Sequence, residues 1–405
     1  MKILIYGMQF KPDKAGIGKY TGEMADWLFE HNHDIRVITA PHYYPEWKQK
    51  PRQWWWKKEK NPYLIWRCPI FVPSQPRSLT RLIHLLSFAI SSFPILLKNI
   101  FWKPDFIIAI EPPFVIAPQT ILYSKITKAK SILHIQDLEI DAAYSLKILK
   151  PGLLLLVLNK IETLILSRFD VITTISRQML KNILQKGVSS ESLFLFPNWG
   201  DTKNIYPNIE NEYLKHRFLL DSSKKTILYS GNIGNKQNLK SVIEVSEKIQ
   251  NEKNNCIFLI VGDGAYKKKM ESEAKKRNLN NINFFPLQSD KDFAALLTLA
   301  DLHLVPQAKN ISDFVLPSKL TNILSAGGVS IIAANPSTEL FRLVKKHKIG
   351  YLINPENIDE LQHAINHLLT DNSLHHKLSK NARKYAEDYL SKDSILSNFN
   401  NSVLI

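Results

Sequence analysis

Apolar positions along this chain come in short runs separated by longer stretches in which they recur every three or four residues. Runs at 2–6, 34–39, 105–110, 131–134, 170–174 and 193–196 predict strands in the first half. The second half repeats the rhythm, with runs at 226–230, 256–261, 282–285, 301–305 and 329–333. Between them, three-to-four spacing predicts helices over 20–30, 239–249, 265–277 and 292–299, and later over 358–369 and 375–389. Strand and helix in steady alternation predict α/β architecture with parallel sheets. A chain of 405 residues suits two domains. The polar stretch 204–212 reads as the linker, giving a first domain over 1–200 and a second over 201–385.

Some stretches break the rhythm. Residues 42–66 are rich in Pro, Trp and Lys and read as a long irregular insertion. Its triplet Trp54-Trp55-Trp56 reads first as core packing, with a sugar face or a membrane interface as the alternatives. The apolar stretches 82–102 and 152–158 are interrupted or short, so a spanning helix is not expected. Each reads as a buried or half-buried helix, or as a surface that touches a bilayer.

A net charge of +16 points to polyanionic partners: nucleic acid, anionic lipid or a phosphorylated substrate. No Cys/His finger or aromatic ribonucleoprotein motif is present, so nucleic acid is set aside. Lysine clusters such as Lys267–Lys269 read as solvated faces. Cys68 and Cys256 lie far apart in apolar runs and read as buried thiols of a reducing, cytoplasmic compartment. The apolar run at the N-terminus is too short for a signal peptide.

The candidate chemistry sits where strands end. The run 226–230 stops on Gly231 and Gly234, Lys236 follows, and a helix begins. Backbone N–H groups at a helix start beside a cation make a phosphate cradle, although an ordinary βα turn has the same residues. Gly16 and Gly18 open another helix beside Lys19. They stand too far past their strand for a dehydrogenase fingerprint. His134, Asp137, Glu139 and Asp141 crowd the end of a further strand, where open α/β sheets place their ligands.

These residues fall in an order that resembles the family 4 retaining glycosyltransferases of the GT-B fold. In the second half the matching stretches are Ser230-Gly231, Lys236, Val261-Gly-Asp-Gly264, Phe284-Phe285-Pro286-Leu287, Leu304-Val-Pro306 and Leu316-Pro-Ser-Lys-Leu-Thr-Asn322. In the first half they are Gly16-Ile-Gly18, His134, Thr174-Ile-Ser176 and Pro197-Asn198. His134-Ile-Gln-Asp-Leu-Glu-Ile-Asp-Ala-Ala143 and Gly231-Asn-Ile-Gly-Asn-Lys-Gln237 resemble the colanic-acid type of exopolysaccharide glycosyltransferase more closely still.

The resemblance implies two Rossmann-like domains facing each other across a cleft, with a last helix within 386–405 returning to the first. It implies a UDP- or GDP-sugar donor, no obligatory metal, and transfer with retention to a saccharide acceptor. Lys236 would neutralise the leaving diphosphate, and Gly16, Gly18 and Gly231 would let backbone approach it. Gly262 and Gly264 belong to the same donor side, the backbone around Leu287 would meet the base, and His134 would lie beside the transferred sugar with Asp137 close by.

Departures matter as well. Asn232 stands where the family has an arginine, and Lys236 sits one place early. Asn322 stands at the position of the ribose-binding glutamate. Ser318 and Lys319 then become the expected phosphate contacts. Basic charge together with apolar stretches suggests a lipid-linked acceptor at the inner face of a membrane. A sugar-nucleotide epimerase and a non-catalytic binding protein of the same fold are the alternative readings.

Overall fold

The computed structural model describes residues 1–13, 16–43, 47–49, 51–60, 62–74, 78–145, 152–218, 220–221, 223–234, 237–307 and 318–405. They form two compact units, Met1–Pro197 with Leu396–Ile405, and Asn198–Ile395.

In the first unit the strands are β1 (Lys2–Tyr6), β2 (Asp34–Thr39), β3 (Lys57–Lys60), β4 (Leu64–Arg67), β5 (Phe106–Glu111), β6 (Lys130–Ile135), β7 (Val171–Thr174) and β8 (Leu193–Leu195). Its helices are α1 (Gly16–Glu30), α2 (Ser78–Lys98), α3 (Ala117–Thr127), α4 (Glu139–Ser145), α5 (Leu153–Leu166) and α6 (Arg177–Gln185). The sheet order is β3-β4-β2-β1-β5-β6-β7-β8. All neighbours pair in parallel except β3, which runs antiparallel to β4. Strands β1, β5 and β6 are buried almost throughout, because helices cover both faces; hence their apolar positions run together instead of alternating.

The expected irregular insertion at 42–66 in fact contributes β3 and the start of β4. β3 reads Lys-Lys-Glu-Lys and has no apolar face to betray it. Charged side chains suit a sheet edge, where they discourage further pairing. The Trp triplet is not core: Trp54 and Trp55 are exposed, the latter by 76%.

Connection handedness sorts the helices. α1 carries the chain from β1 to β2 in one direction across the sheet, whereas α2, α3, α5 and α6 serve connections that move the other way. Right-handed crossovers therefore put α1 on one face and the others on the opposite face. The terminal residues pack within this unit on the α1 side: Asn400 meets His33 at 2.9 Å, and Phe399 stacks on Phe196 at 4.3 Å between centroids.

The second unit has β9 (Lys225–Ser230), β10 (Cys256–Val261), β11 (Ile282–Phe285), β12 (Leu302–Val305), β13 (Ser330–Ala333) and β14 (Tyr351–Ile353). Its helices are α7 (Glu212–Arg217), α8 (Lys240–Asn251), α9 (Lys267–Lys276), α10 (Asp290–Leu299), α11 (Ser318–Ser325), α12 (Glu339–His347), α13 (Ile358–Thr370), α14 (Asn372–Tyr389) and α15 (Lys392–Phe399), whose end lies in the first unit. The sheet is parallel in the order β11-β10-β9-β12-β13-β14. Leu228, Leu259, Val305 and Ile332 face one buried cluster; Ile227, Tyr229, Phe258 and Ile331 face the other. The chain leaves β9 for β10 on one side and later crosses to β12 on the other. Such a reversal opens a crevice at the strand ends, with β9 at its centre.

Candidate functional site

The loop after β9 begins at Gly231 and is zipped to the loop after β10. Gly231 N–H donates to Val261 O at 3.0 Å, Ile233 N–H to Asp263 O at 2.8 Å, and Tyr266 N–H to Ile233 O at 3.0 Å. The zip explains two of the expected donor-binding glycines. A Cβ at Gly262 would stand 1.9 Å from Gly231 O, and one at Gly264 would stand 2.3 Å from Ile233 O. These two glycines let backbone pack on backbone. Gly231 is different: the atoms nearest to a Cβ there are Lys319 Cε and Nζ, at 3.5 and 3.6 Å.

Lys319 lies in the first turn of α11. Its ammonium donates to Tyr229 Oη at 3.0 Å and lies 4.2 Å from that ring's centroid. Tyr229 Oη in turn donates to the carbonyl of Asn232 at 2.6 Å. Tyr229 therefore ties helix, lysine and glycine loop into one piece. Among the described residues no carboxylate lies within ion-pair reach of Lys319. Burial holds its pKa down, at about 8. A cation with no carboxylate partner among the described residues, set beside Gly231 and a helix start, suits an anion.

Asn322 is one turn on from Lys319, half-buried and at i+3, so both address the same side of α11. Asn232 is exposed, as is Leu287, by 67%, beyond the end of β11. Lys236 lies outside the described residues, as does the side chain of Ser318. Two residues here were not foreseen. Tyr229 looked like one more apolar strand position, and Lys267 like part of a solvated face. Lys267 instead donates to Gly262 O at 3.1 Å and Phe285 O at 3.2 Å, clasping two strand ends.

In the first unit, Gly16 opens α1 with a positive φ of 64° and no heavy atom near its missing side chain. Gly18 is buried, and the Asp13 carboxylate fills the space beside it, with Oδ2 2.2 Å from a would-be Cβ. Of these two, Gly16 is the one with open backbone.

His134 does not face open solvent. Its ring is 4% exposed, inside β6 rather than at its tip, and packs 4.9 Å from Phe196. Nδ1 faces Thr173 Oγ1 at 2.8 Å, and Nε2 faces the Gln136 amide at 2.9 Å. Burial pushes its pKa down to about 3, so at neutral pH it is a fixed, uncharged imidazole. What it holds is Gln136, which leads to the exposed Asp137 at the open strand end.

On the opposite face of the same strands sits a group that sequence reasoning passed over. Glu111 ends β5, fully buried, and its Oε2 has no hydrogen-bond partner among the described residues. Burial, with Glu139 and Glu162 close by, raises its pKa well above the ordinary value, which favours the uncharged form. Glu139 accepts from Phe114 N–H at 2.6 Å. Asp141 and Glu162 both bind Lys186. The acidic run therefore divides into separate tasks, and only Asp137 among its named members is exposed. No group of His, Cys, Asp and Glu among the described residues is arranged to hold a metal.

The buried imidazoles give a pH prediction. His134 and His303 have folded pKa values of about 3 and about 4, against an ordinary 6.5. Below 6.5 the unfolded chain binds protons that the folded one refuses. Stability should thus be full above that value and fall by about 1.4 kcal/mol per histidine per pH unit as acid is added. Urea unfolding followed between neutral pH and pH about 4 reads this slope; His134→Gln should reduce it by about 1.4 kcal/mol per pH unit.

Comparison with known proteins agrees with this architecture. Residues 211–385 match the family Glycosyl transferases group 1, and residues 15–199 match the Glycosyl transferase 4-like domain. The chain is 42% identical to the colanic acid biosynthesis glycosyl transferase WcaI of Escherichia coli (strain K12), across 100% of both chains. Among solved structures, sucrose-phosphate synthase from Thermosynechococcus elongatus superposes with a TM-score of 0.74 at 14% identity, covering 99% of this chain and 97% of that one. Anabaena Alr3699/HepE, in complex with UDP and glucose, superposes with a TM-score of 0.72 at 15% identity, covering 100% and 99%. The fold shared with these is GT-B.

Proposed function

Since this chain belongs to the group 1 glycosyl transferases, we propose that it moves a hexosyl or deoxyhexosyl unit, with retention, from a UDP- or GDP-sugar to a lipid-linked saccharide during surface polysaccharide assembly. The observation that carries the donor reading is Lys319, held by Tyr229 over the open side of Gly231. A UDP complex of the fold neighbour HepE supports the same class of donor.

In this reading Lys319 and Lys236 face the diphosphate, aided by Ser318 and the backbone at Gly231 and Asn232. Asn322 bonds a ribose hydroxyl, and the backbone around Leu287 meets the base. Gly16 offers open backbone that suits a phosphate oxygen. The anomeric carbon–phosphate oxygen bond breaks as the acceptor oxygen bonds that carbon from the same face. The departing phosphate oxygen takes the acceptor's proton. Cationic groups favour this by stabilising charge that grows on the leaving group. Asp137 orients the acceptor hydroxyl, and His134 positions the strand end that carries it. No step calls for a metal-held group. The acceptor places the enzyme on the cytoplasmic face of a membrane.

Thermal unfolding with UDP, GDP and ADP tests the donor site. A ligand at 100 times its Kd stabilises the native state by about 2.7 kcal/mol. One nucleoside diphosphate should raise Tm in the wild type and not in Lys236→Ala, whose activity should be lost while its unliganded Tm is kept. No shift with any of them would sink the donor reading.

A further inference from the structure

The helix α2 is built inside out. Its exposed stripe is Leu79, Ile83, Leu86, Ile90 and Leu97, continued by Phe101 just beyond its end, with Ile90 and Phe101 exposed by 74% and 90%. The spacing of four, three, four, seven and four residues keeps all six on one helical side. Its buried side carries the polar His84 and Ser92 together with Phe88, Ile95 and Leu96. Ser92 meets Tyr6 Oη at 2.6 Å; just past the helix, Asn99 accepts from Arg36 at 3.0 Å, and its carbonyl accepts from Tyr123 Oη at 2.9 Å. A water-facing helix would not leave an apolar stripe of this length uncovered.

We propose that this face of the first unit is a monotopic membrane-insertion surface for an anionic bilayer. The segment Leu79–Trp102 has a mean hydropathy of 1.5 and is long enough to span a bilayer. Its polar side, however, is bonded into the sheet and buried beside Phe88 and Leu96. Spanning would tear those contacts out, so the helix lies in the interface plane with its apolar stripe down.

The neighbours agree. Trp56 Nε1–H donates to the carbonyl of Ser91 at 2.7 Å, which seats the exposed Trp54 and Trp55 beside the stripe. Tryptophan at such a margin prefers the headgroup layer. α5 repeats the inversion: Leu153, Leu156, Val157, Ile161 and Leu164 are exposed, whereas Glu162 is buried on Lys186. Crossover handedness sets α2 and α5 on the same face of the sheet.

Charge selects the lipid. Every charged residue from 78 to 103 is basic: Arg81, Lys98 and Lys103. Arg52, Lys57 and Lys58 flank the tryptophans. Cations around an apolar face match phosphatidylglycerol-type headgroups and not a second copy of the same basic face. This surface rests on the proposed lipid-linked acceptor for its purpose, since it would hold the first unit where such an acceptor is embedded.

The test is flotation of the full chain with vesicles of phosphatidylethanolamine and phosphatidylglycerol, compared with phosphatidylcholine, at low salt. Wild type should float with the anionic vesicles, and Leu86→Glu/Ile90→Glu should bind at least about tenfold more weakly. Both substitutions lie on the exposed stripe, so Tm should be unchanged. Brominated acyl chains should quench emission from wild type more than from Trp54→Ser/Trp55→Ser. Equal flotation of the double glutamate variant overturns the proposal. So does a wild type that ignores vesicles, or one that sediments as a dimer which the glutamates dissociate. A nucleotide-induced Tm shift retained in the variant assigns the loss to this face and leaves the donor reading untouched. Flotation without any nucleotide shift in the wild type upholds the surface while removing the donor reading.

Discussion

Lys319→Met should cut kcat/KM for the sugar donor by about 100- to 1,000-fold, the usual cost of removing one preorganised charge-stabilising donor, while leaving Tm unchanged or raised. The two effects have opposite signs for one reason. Burial lowers the Lys319 pKa from 10.5 to about 8. Between those values the unfolded chain binds more protons than the folded one, so stability rises with pH there. Below pH about 8 the folded protein carries the full cost of a desolvated ammonium, and methionine removes it. The stability advantage of Lys319→Met over wild type should therefore shrink between pH about 8 and 10.5. The charge is needed only when a diphosphate arrives. Tyr229→Phe tests the positioning arm. It deletes the hydroxyl that receives Lys319 and tethers Asn232. The alkaline limb of the activity profile should move to lower pH, a change that mere loosening of the core would not produce. An activity of Lys319→Met equal to wild type would take Lys319 out of the donor site.

Gly262→Ala should destabilise the second unit by at least about 3 kcal/mol, among the larger effects a single methyl can have. Its Cβ would meet a backbone oxygen, Gly231 O, at 1.9 Å, and the three loop-to-loop hydrogen bonds leave neither loop free to retreat. Any relaxed form must displace Gly231 from Lys319, so nucleotide stabilisation should vanish as well. Gly16→Ala is the contrast. Nothing lies within 4 Å of that position, so only its positive φ opposes a side chain, at about 1 kcal/mol. Chemical unfolding of the two variants side by side distinguishes a packing glycine from a conformational one; similar losses in both would contradict the close approach at Gly262.

Much of this was readable along the chain. Parallel strands buried on two faces must be apolar at nearly every position, so β1, β5, β9 and β10 announced themselves. Glycines following such runs marked the strand ends, and Gly231 with Lys236 stood out as a phosphate candidate along the chain, whereas Lys319 entered only through the family resemblance. What stayed hidden depended on contacts between distant residues or on the direction a side chain faces. Tyr229 and Lys319 are 90 positions apart, and nothing in either neighbourhood names the other. His134 sits beside acidic residues in sequence, yet strand alternation turns it inward against Phe196 while Asp137 emerges at the tip. Glu111 gave no signal, since one carboxylate at a strand end looks the same whether water or protein surrounds it.

α2 shows the division most plainly. Its periodicity, written in the sequence, says that one side is apolar and the other carries His84, Ser92 and Asn99. It does not say which side is inside. Amphipathicity fixes a contrast between two solvents but not the identity of either, and only the bonds from Ser92 to Tyr6 and from Asn99 to Arg36 decide that the polar side faces the sheet.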